Sequence, residues 1–401
     1  MDIKENLIWR AIITLFFLMF INSVSFGQSL KLIPESEYVE FLDRAAASMK
    51  ANYDKIDTWQ GEFSIEEDNY FYGEQCTWLN IDANDPASRS EAIRSRIYSL
   101  GKFETDVKNN KLYYSESKPE PKYKALDLQR DFTLKEMFSP IISIVTPDGY
   151  LSFKPNFNYG YGGKKVNEKW SGRQAFRLPL EKTKNEQWSD IRDPRKYFSE
   201  GHKMFWEDLE VLSNLIANPA PDIPEGKAPR IGIFTEGTKT YIKTRFYRSE
   251  DCNSCDPNLE FVNINLILDN SIGYNAIRRE ALSKNNEILN TLDIAYENID
   301  GIFIPKSVHF VISRSSDFKK SFDSKITFTK SILNAPIPEE TFTHKNLGLK
   351  EGEVFRDEIQ KKRYKYEDAS LVFVSDVLDR SSEKKINKPA VPNEEPNNPP
   401  K

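Results

Sequence analysis

Apolar residues recur at every third or fourth position between residues 35 and 56, and at every second position directly afterwards. Tyr38, Phe41, Leu42, Ala45, Ala46, Met49, Tyr53 and Ile56 share one face of a helix at these spacings. Pro34 and Glu35 suit its first turn, and Glu37 meets the positive end of the helix dipole. From Trp59 the period falls to two. Trp59, Gly61, Phe63 and Ile65 alternate with Gln60, Glu62 and Ser64, which predicts a strand with one buried face. Further strand-like runs cover 70–79, 93–100, 103–107 and 111–115, with Asn109-Asn110 as a turn between the last two.

The middle of the chain is less regular. Phe132, Leu134, Met137, Phe138 and Ile141 share helical spacing, which predicts a short helix over 131–142. Thr146-Pro147-Asp148-Gly149 is a turn. Tyr159-Gly160-Tyr161-Gly162-Gly163 lacks the Lys-Ser/Thr of a P-loop and the strand–helix frame of a dinucleotide site, so it reads as a flexible aromatic loop. Asp193 as N-cap and Pro194 at the first helical position open a second helix running to about Ala217, which Pro219, Pro221 and Pro224 end.

From residue 230 to 333 the pattern is strand and turn in series: 231–234, 240–247, 261–268, 272–282, 287–296, 302–312 and 325–333. Asp269-Asn270-Ser271, Lys284-Asn285-Asn286 and Asp300-Gly301 supply turns between them. Short strands joined this way predict an antiparallel meander; the alternating strand–helix rhythm of a doubly wound parallel sheet is missing. The aromatic content of 12% strengthens the lean toward sheet. Together with the helices it predicts an α+β fold, a curved sheet wrapped over helices, enclosing either an apolar cavity or a packed core.

The two ends read differently. Lys4 and Arg10 precede an apolar run from Ala11 to Val24, followed by Ser25 and Gly27 at alternate places, the layout of a secretory signal peptide cleaved after Gly27. An uncleaved anchor is the rival reading, although the run is short of the ~20 residues that span a bilayer. No lipid-attachment cysteine follows it. Residues 381–401 carry Pro389, Pro392, Pro396, Pro399 and Pro400 among Asn, Glu and Lys, and read as a disordered tail.

Charge narrows the partners. A net charge of −5 leaves no basic face for nucleic acid, nor is there a polybasic segment for anionic head groups. An exported chain permits disulfides. Cys252 and Cys255 form a Cys-Asn-Ser-Cys unit. A redox motif wants a helix at the first cysteine, whereas Asp256-Pro257-Asn258 leads into a strand-like run; zinc wants four ligands, and no second pair or nearby His exists. A loop-closing disulfide is the expected use, with Cys76 a buried free thiol.

Catalytic patterns are sparse. His202, His309 and His344 stand alone, with no ligand at metal spacing. There is no Gly-x-Ser-x-Gly elbow. Glu66-Glu67-Asp68, Glu339-Glu340 and the pair Glu351 and Glu353 are expected in turns or at strand ends, as solvated charges. Neither an enzyme nor a cofactor is expected.

The unit Tyr296-Glu-Asn-Ile-Asp300-Gly301-Ile-Phe-Ile-Pro305-Lys-Ser-Val308 resembles a strand–turn–strand element of the LolA-like, or outer membrane lipoprotein-sorting protein, family, in its divergent planctomycete-type branch. Residues 332–342, with Pro-Ile-Pro-Glu-Glu-Thr-Phe, and Leu347-Gly-Leu-Lys-Glu-Gly352 running to Asp357 extend the resemblance. So does Ile56-Asp57-Thr58-Trp59 opening the first long strand after the helix. The resemblance covers residues 296–357 and the first helix. It implies a half-open antiparallel barrel, residues 28–380, with helices on its concave side and a middle insertion at about 118–226. In the family's best-known members that hollow carries lipoprotein acyl chains across the periplasm. No ligand-contact motif matches, so no functional residue transfers.

The leading expectation is therefore a periplasmic, or alternatively extracellular, monomer that binds lipid or an acylated lipoprotein. Phe41, Met49, Trp59 and Phe63, on the inward faces, are the cavity candidates. The rival expectation is an envelope sensing or scaffold module that grips a protein partner through residues 118–226 and the Pro-rich tail. A hydrolase using the acidic loops ranks third.

Overall fold

The computed structural model describes residues 30–72, 93–117, 141–154, 174–180, 205–218, 230–247, 261–283, 285–314 and 318–376. In chain order its elements are β1 (Lys31–Leu32), α1 (Tyr38–Tyr53), β2 (Thr58–Phe71), β3 (Ile93–Asp106), β4 (Lys111–Ser117), β5 (Ile141–Thr146), β6 (Gly149–Lys154), β7 (Gln174–Leu178) and α2 (Phe205–Ala217). They continue with β8 (Arg230–Glu236), β9 (Lys239–Tyr247), β10 (Phe261–Asp269), β11 (Asn275–Leu282), β12 (Ile288–Ile299), β13 (Ile302–Ser313), β14 (Lys320–Leu333), β15 (Val354–Asp357), β16 (Lys362–Glu367) and β17 (Ser370–Asp376). Antiparallel strands predominate, with α1 and α2 as the α-helices among the described residues. The elements fall into two compact units, one drawn from residues 1–55 and 195–325, the other from 56–194 and 326–401.

In the first unit β1 pairs with β8, and β8 through β13 follow in antiparallel succession. The turns explain the order. Asp300 and Gly301 both hold positive φ, at 52° and 80°, the geometry that closes a two-residue hairpin between β12 and β13. Alternation then buries one face, with Ile233, Ile242, Leu268 and Ile304 wholly inaccessible. Helix α1 buries the predicted stripe from Tyr38 to Tyr53 and is preceded by a 3-10 turn over Glu35–Glu37. Its Asn52 side chain donates to the carbonyl of Phe303 (2.7 Å) and accepts from the Phe303 N–H (2.8 Å), which fastens the helix to β13. Helix α2 lies against α1 through Tyr53 and Trp206, whose ring centroids are 5.6 Å apart, and a 2.6 Å hydrogen bond from Ser213 to Asp43.

In the second unit β2 to β7 are antiparallel neighbours in sequence order. β7 then pairs in parallel with β15, and β15, β16 and β17 form an antiparallel ending. β14 enters this unit at Ile326 and lies beside β2, where Thr329 donates to the carbonyl of Glu62 at 3.2 Å. Five successive residues of β4, Leu112 to Glu116, are all buried, so both faces of the sheet are covered here.

Several expectations change. Residues 93–100 and 103–107, expected as two strands, are the single strand β3, because Gly101 continues the ladder opposite Phe63. The expected helix over 131–142 ends in strand: Ile141 and Ile142 begin β5 and pair with β4, and the rest lies outside the described residues. A short apolar run fits either period, and here the cross-strand pairing decides it. Glu66, Glu67 and Asp68 lie inside β2, where Asp68 is matched to Arg96 in a fork of 2.9 and 3.1 Å. The helix expected to start at Asp193 is described from Phe205 onward, and β2 covers only the start of the run expected over 70–79. Residues 1–29, 159–163, 381–401 and all three cysteines, including Cys252 and Cys255, lie outside the described residues.

Candidate functional site

Directly paired residues in a ladder share a face, so register sorts the second unit into two walls. One wall contains the row Gly61, Phe103, Tyr114, Ser143 and Ser152, each paired with the next across β2 to β6. Trp59 and Phe63, two residues either side of Gly61, belong to it. Their rings meet Phe103 (5.2 and 6.3 Å between centroids) and Phe328 (6.0 and 6.4 Å), and Phe63 stacks on Tyr114 at 5.6 Å. This aromatic wall also carries polar atoms. Tyr114 donates to Glu116 at 2.7 Å, and Ser143 and Tyr150 share a 3.0 Å hydrogen bond. Trp59 Nε1, Ser99 Oγ and Ser152 Oγ are buried with no hydrogen-bond partner among the described residues.

Of the four cavity candidates, Trp59 and Phe63 are thus neighbours, both within 4% of complete burial. Phe41 and Met49 lie in the other unit on the buried stripe of α1, Phe41 edge-on to Tyr274 at 5.7 Å. Glycine spacing was the overlooked signal on the wall: Gly61 and Gly101 leave room for the rings of Phe103 and Phe63 above them.

The opposite wall holds the row Tyr113, Ile144, Leu151, Arg177 and Asp357. The C-terminal chain covers it, with Phe342, Leu347 and Phe355 joining Ile142, Ile144 and Phe153 in one core cluster. Beside this cluster opens a groove of about 720 Å³. Its lining includes Leu151, Phe342 and Phe355, together with Lys111, Arg177 and His344 and the acids Asp148, Glu339 and Asp357. Lys111 reaches both oxygens of Glu339, at 2.8 and 2.6 Å, and stands 5.6 Å over the ring of Phe342. Arg177 donates to the carbonyl of Asp148 at 3.2 Å and to Asp357 at a long 3.5 Å. Burial, with Lys345 adjacent, pushes the His344 imidazole below its ordinary pKa. No sequence pattern announced this groove, because its residues run from Lys111 to Leu371 and come together only through the parallel β7–β15 pairing.

The remaining candidates are structural. His309, on β13, bonds Asp323 at 2.8 Å, and Lys320 reaches the other carboxylate oxygen at 2.7 Å. Burial pushes Asp323 up, but hydrogen bonds from Lys320 and His309 outweigh it and hold the carboxyl below its ordinary pKa. Glu339 and Glu340 belong to a 3-10 turn, and Glu353 accepts from the backbone N–H of Lys350. Among the described residues no group of three His, Cys, Asp or Glu side chains could hold a metal ion, and no helix is long and apolar enough to cross a membrane. His202 lies outside the described residues.

No family model matches the chain. No curated protein matches it either. Solved structures similar to it include a LolA superfamily protein from Nitrosomonas europaea (13% identity, 76% of this chain and 99% of that one, TM-score 0.32). A domain from Vibrio parahaemolyticus described as an outer membrane lipoprotein-sorting protein is 10% identical over 77% of this chain and 99% of its own, with a TM-score of 0.33. A DUF1329 family protein from Desulfovibrio piger is 10% identical over 77% of this chain and 98% of its own, with a TM-score of 0.28. Overlaps this low carry no functional information, so a functional reading rests on the walls and the groove themselves.

Proposed function

We propose that this chain is an exported, non-enzymatic carrier that holds lipid or lipoprotein acyl chains in an apolar hollow. In this reading cleavage after Gly27 releases a periplasmic monomer, and residues 28–380 work as one domain of half-open barrel type with α1 as its plug. The chain passes between the two compact units three times, so neither is a contiguous piece that could act alone.

The observation that carries the reading is the wall of Trp59, Phe63, Phe103, Tyr114 and Phe328 on a sheet whose other face already has its own core. An antiparallel sheet commonly leaves one face to water; this one dedicates both to apolar contact. An acyl chain gains ~0.8 kcal/mol per buried CH₂, enough for useful affinity without a specific polar contact. The donors at Trp59, Ser99 and Ser152, which have no partner among the described residues, would suit the ester and amide oxygens of an acylated group.

Native mass spectrometry of the mature protein purified from its own envelope tests this. A co-purifying lipid or acylated peptide near one-to-one, whose extraction lowers the melting temperature by mass action, is the expected result. A bare mass with no uptake of added lipid would sink it.

A second reading, docking of an envelope protein, is favoured by β17. Val372, Phe373 and Val374 are 44, 53 and 57% exposed on a strand that pairs with β16 and, among the described residues, shows no ladder on its other edge. An uncharged apolar edge is a template for an added strand. Val372→Lys should abolish capture of a partner from envelope extracts while leaving lipid loading unchanged; unaltered capture would exclude this edge.

A further inference from the structure

The groove beside β6, β7 and β15 lies on the opposite wall from Trp59 and Phe63, so what it binds is a separate question from acyl carriage. Its lining sets two permanent cations, Lys111 and Arg177, among three carboxylates, Asp148, Glu339 and Asp357, and the two acids that meet the cations do so unequally. The side chains of Lys111 and Arg177 are only 19 and 25% exposed. The acid that meets Lys111, Glu339, is 77% exposed at the rim. The acid beside Arg177, Asp357, is committed elsewhere: its Oδ1 accepts the backbone N–H groups of Ile359 and Gln360, both at 2.9 Å. What Asp357 offers Arg177 is the 3.5 Å contact of its other oxygen, at the outer limit of a hydrogen bond. Arg177 Nε is buried with no acceptor among the described residues.

A guanidinium held in one place by the Asp148 carbonyl at 3.2 Å, with Nε unfilled and a single stretched carboxylate contact, is poised for a planar anion that it can grip through two bonds. Next to it the floor is apolar. Phe342 and Phe355 are nearly inaccessible, and Tyr364 and Leu371 extend that surface as partly buried members of the same cluster. The volume of about 720 Å³ lies within the range of small-molecule sites.

We propose that this groove binds an anionic amphiphile, with a carboxylate or phosphate on Arg177 and Lys111 and a short apolar tail along Phe342, Phe355 and Leu371. Both anions satisfy the same geometry, a fatty-acid carboxylate and a lipid phosphate being its two sources. Binding displaces the weak Arg177–Asp357 contact and leaves Asp357 on its two backbone donors.

Calorimetric titration of the full mature chain with decanoate, decyl phosphate and decanol tests the proposal. One or both anions should bind one-to-one, at least about tenfold tighter than decanol, since charge-assisted hydrogen bonds set the preference. The anion that binds tighter identifies the source. Arg177→Gln should weaken the anions by about tenfold and leave decanol unchanged, whereas Arg177→Lys should restore part of the preference because it keeps the charge without the fork. Leu371→Glu, which sets a like charge along the tail, should weaken both anions even if Arg177→Gln fails to fold. No binding of either anion, decanol binding equally well, or full anion affinity in both Arg177→Gln and Leu371→Glu would overturn the proposal. Lipid retained by Arg177→Gln in native mass spectra reports on the aromatic wall, so the two sites can fail separately.

Discussion

Gly101 is the most informative single position on the aromatic wall, and replacing it by alanine should destabilise the protein. A Cβ built there would stand 2.1 Å from Cζ and 2.6 Å from Cε2 of Phe63, and 2.7 Å from the carbonyl oxygen of Ser115. The ring has little room to move: Phe103, Tyr114 and Phe328 surround it at centroid separations of 6.3, 5.6 and 6.4 Å. The carbonyl belongs to the β3–β4 ladder, in which Ser115 pairs with Lys102, so it moves only if the sheet moves. Overpacking of closely packed buried side chains costs about 1–3 kcal/mol, and contact with both ring and backbone argues for the upper half. Alanine in place of a strand glycine returns about 0.5–1 kcal/mol. A net loss of about 1–2 kcal/mol should remain, or about 1–1.5 °C in Tm for each kcal/mol if residues 28–380 unfold as one domain.

The assay is urea unfolding followed by tryptophan fluorescence, since Trp59 reports from within the cluster. Gly101→Ala should lower the midpoint without changing the slope, as expected when stability and not the exposed surface changes. Phe63→Leu combined with Gly101→Ala should be less harmful than the sum of the single changes by more than ~0.5 kcal/mol, the threshold above which contacting residues count as coupled. An unchanged or raised midpoint for Gly101→Ala would refute the close-approach argument and make the glycine a mere strand weakener.

Other expectations concern other parts of the fold. Asn52→Ala removes both bonds to the Phe303 backbone and leaves that peptide edge unpaired, at a cost of about 2–3 kcal/mol in chemical denaturation; a loss below ~0.5 kcal/mol would mean that water replaces the side chain. Gly149→Ala at φ 145°, with the new Cβ 2.9 Å from both the Leu178 carbonyl and Ile359, should lower the melting temperature and loosen the mouth of the groove; an unaltered melting curve would contradict the strain. Asp323 is held below its ordinary value of 3.8, so its contribution is complete above that value and is lost as pH falls through the lower folded pKa. Wild type minus Asp323→Asn stability should therefore shrink on acidification through this range, and a difference that stays flat there would remove the Lys320–His309 cluster as its cause.

The sequence disclosed elements and concealed assemblies, for a physical reason. The stripe from Tyr38 to Tyr53 and the alternation of Trp59 to Ile65 are local periodicities, and each corresponds to a buried face of α1 or β2. The Asp300-Gly301 turn is equally local, since two positive φ angles require residues of this kind. What failed is what depends on partners. Ile141 and Ile142 fit a helical spacing and are strand because β4 supplies the ladder beside them. Gly101 falls in the gap between the runs expected over 93–100 and 103–107 and instead continues β3, making room for the ring of Phe63. β4 shows no alternation in burial because both of its faces are covered, a circumstance its own residues cannot announce.

The groove is the extreme case. Arg177 and Asp357 lie side by side because β7 and β15 are parallel neighbours, and 180 positions of chain separate them. Their contact is long because the turn after β15 holds one oxygen of Asp357 on two backbone N–H groups. A local requirement, closing that turn, thus leaves an arginine under-satisfied on a distant strand. Asp357→Asn should therefore loosen the turn and lower stability. Arg177→Gln, which gives up the 3.2 Å bond to the Asp148 carbonyl in the β5–β6 turn but leaves both backbone bonds of the turn after β15, should change anion affinity far more than the unfolding midpoint. Equal losses of stability in the two variants would show that the Arg177–Asp357 pair is a structural ion bridge, with no capacity left for a ligand.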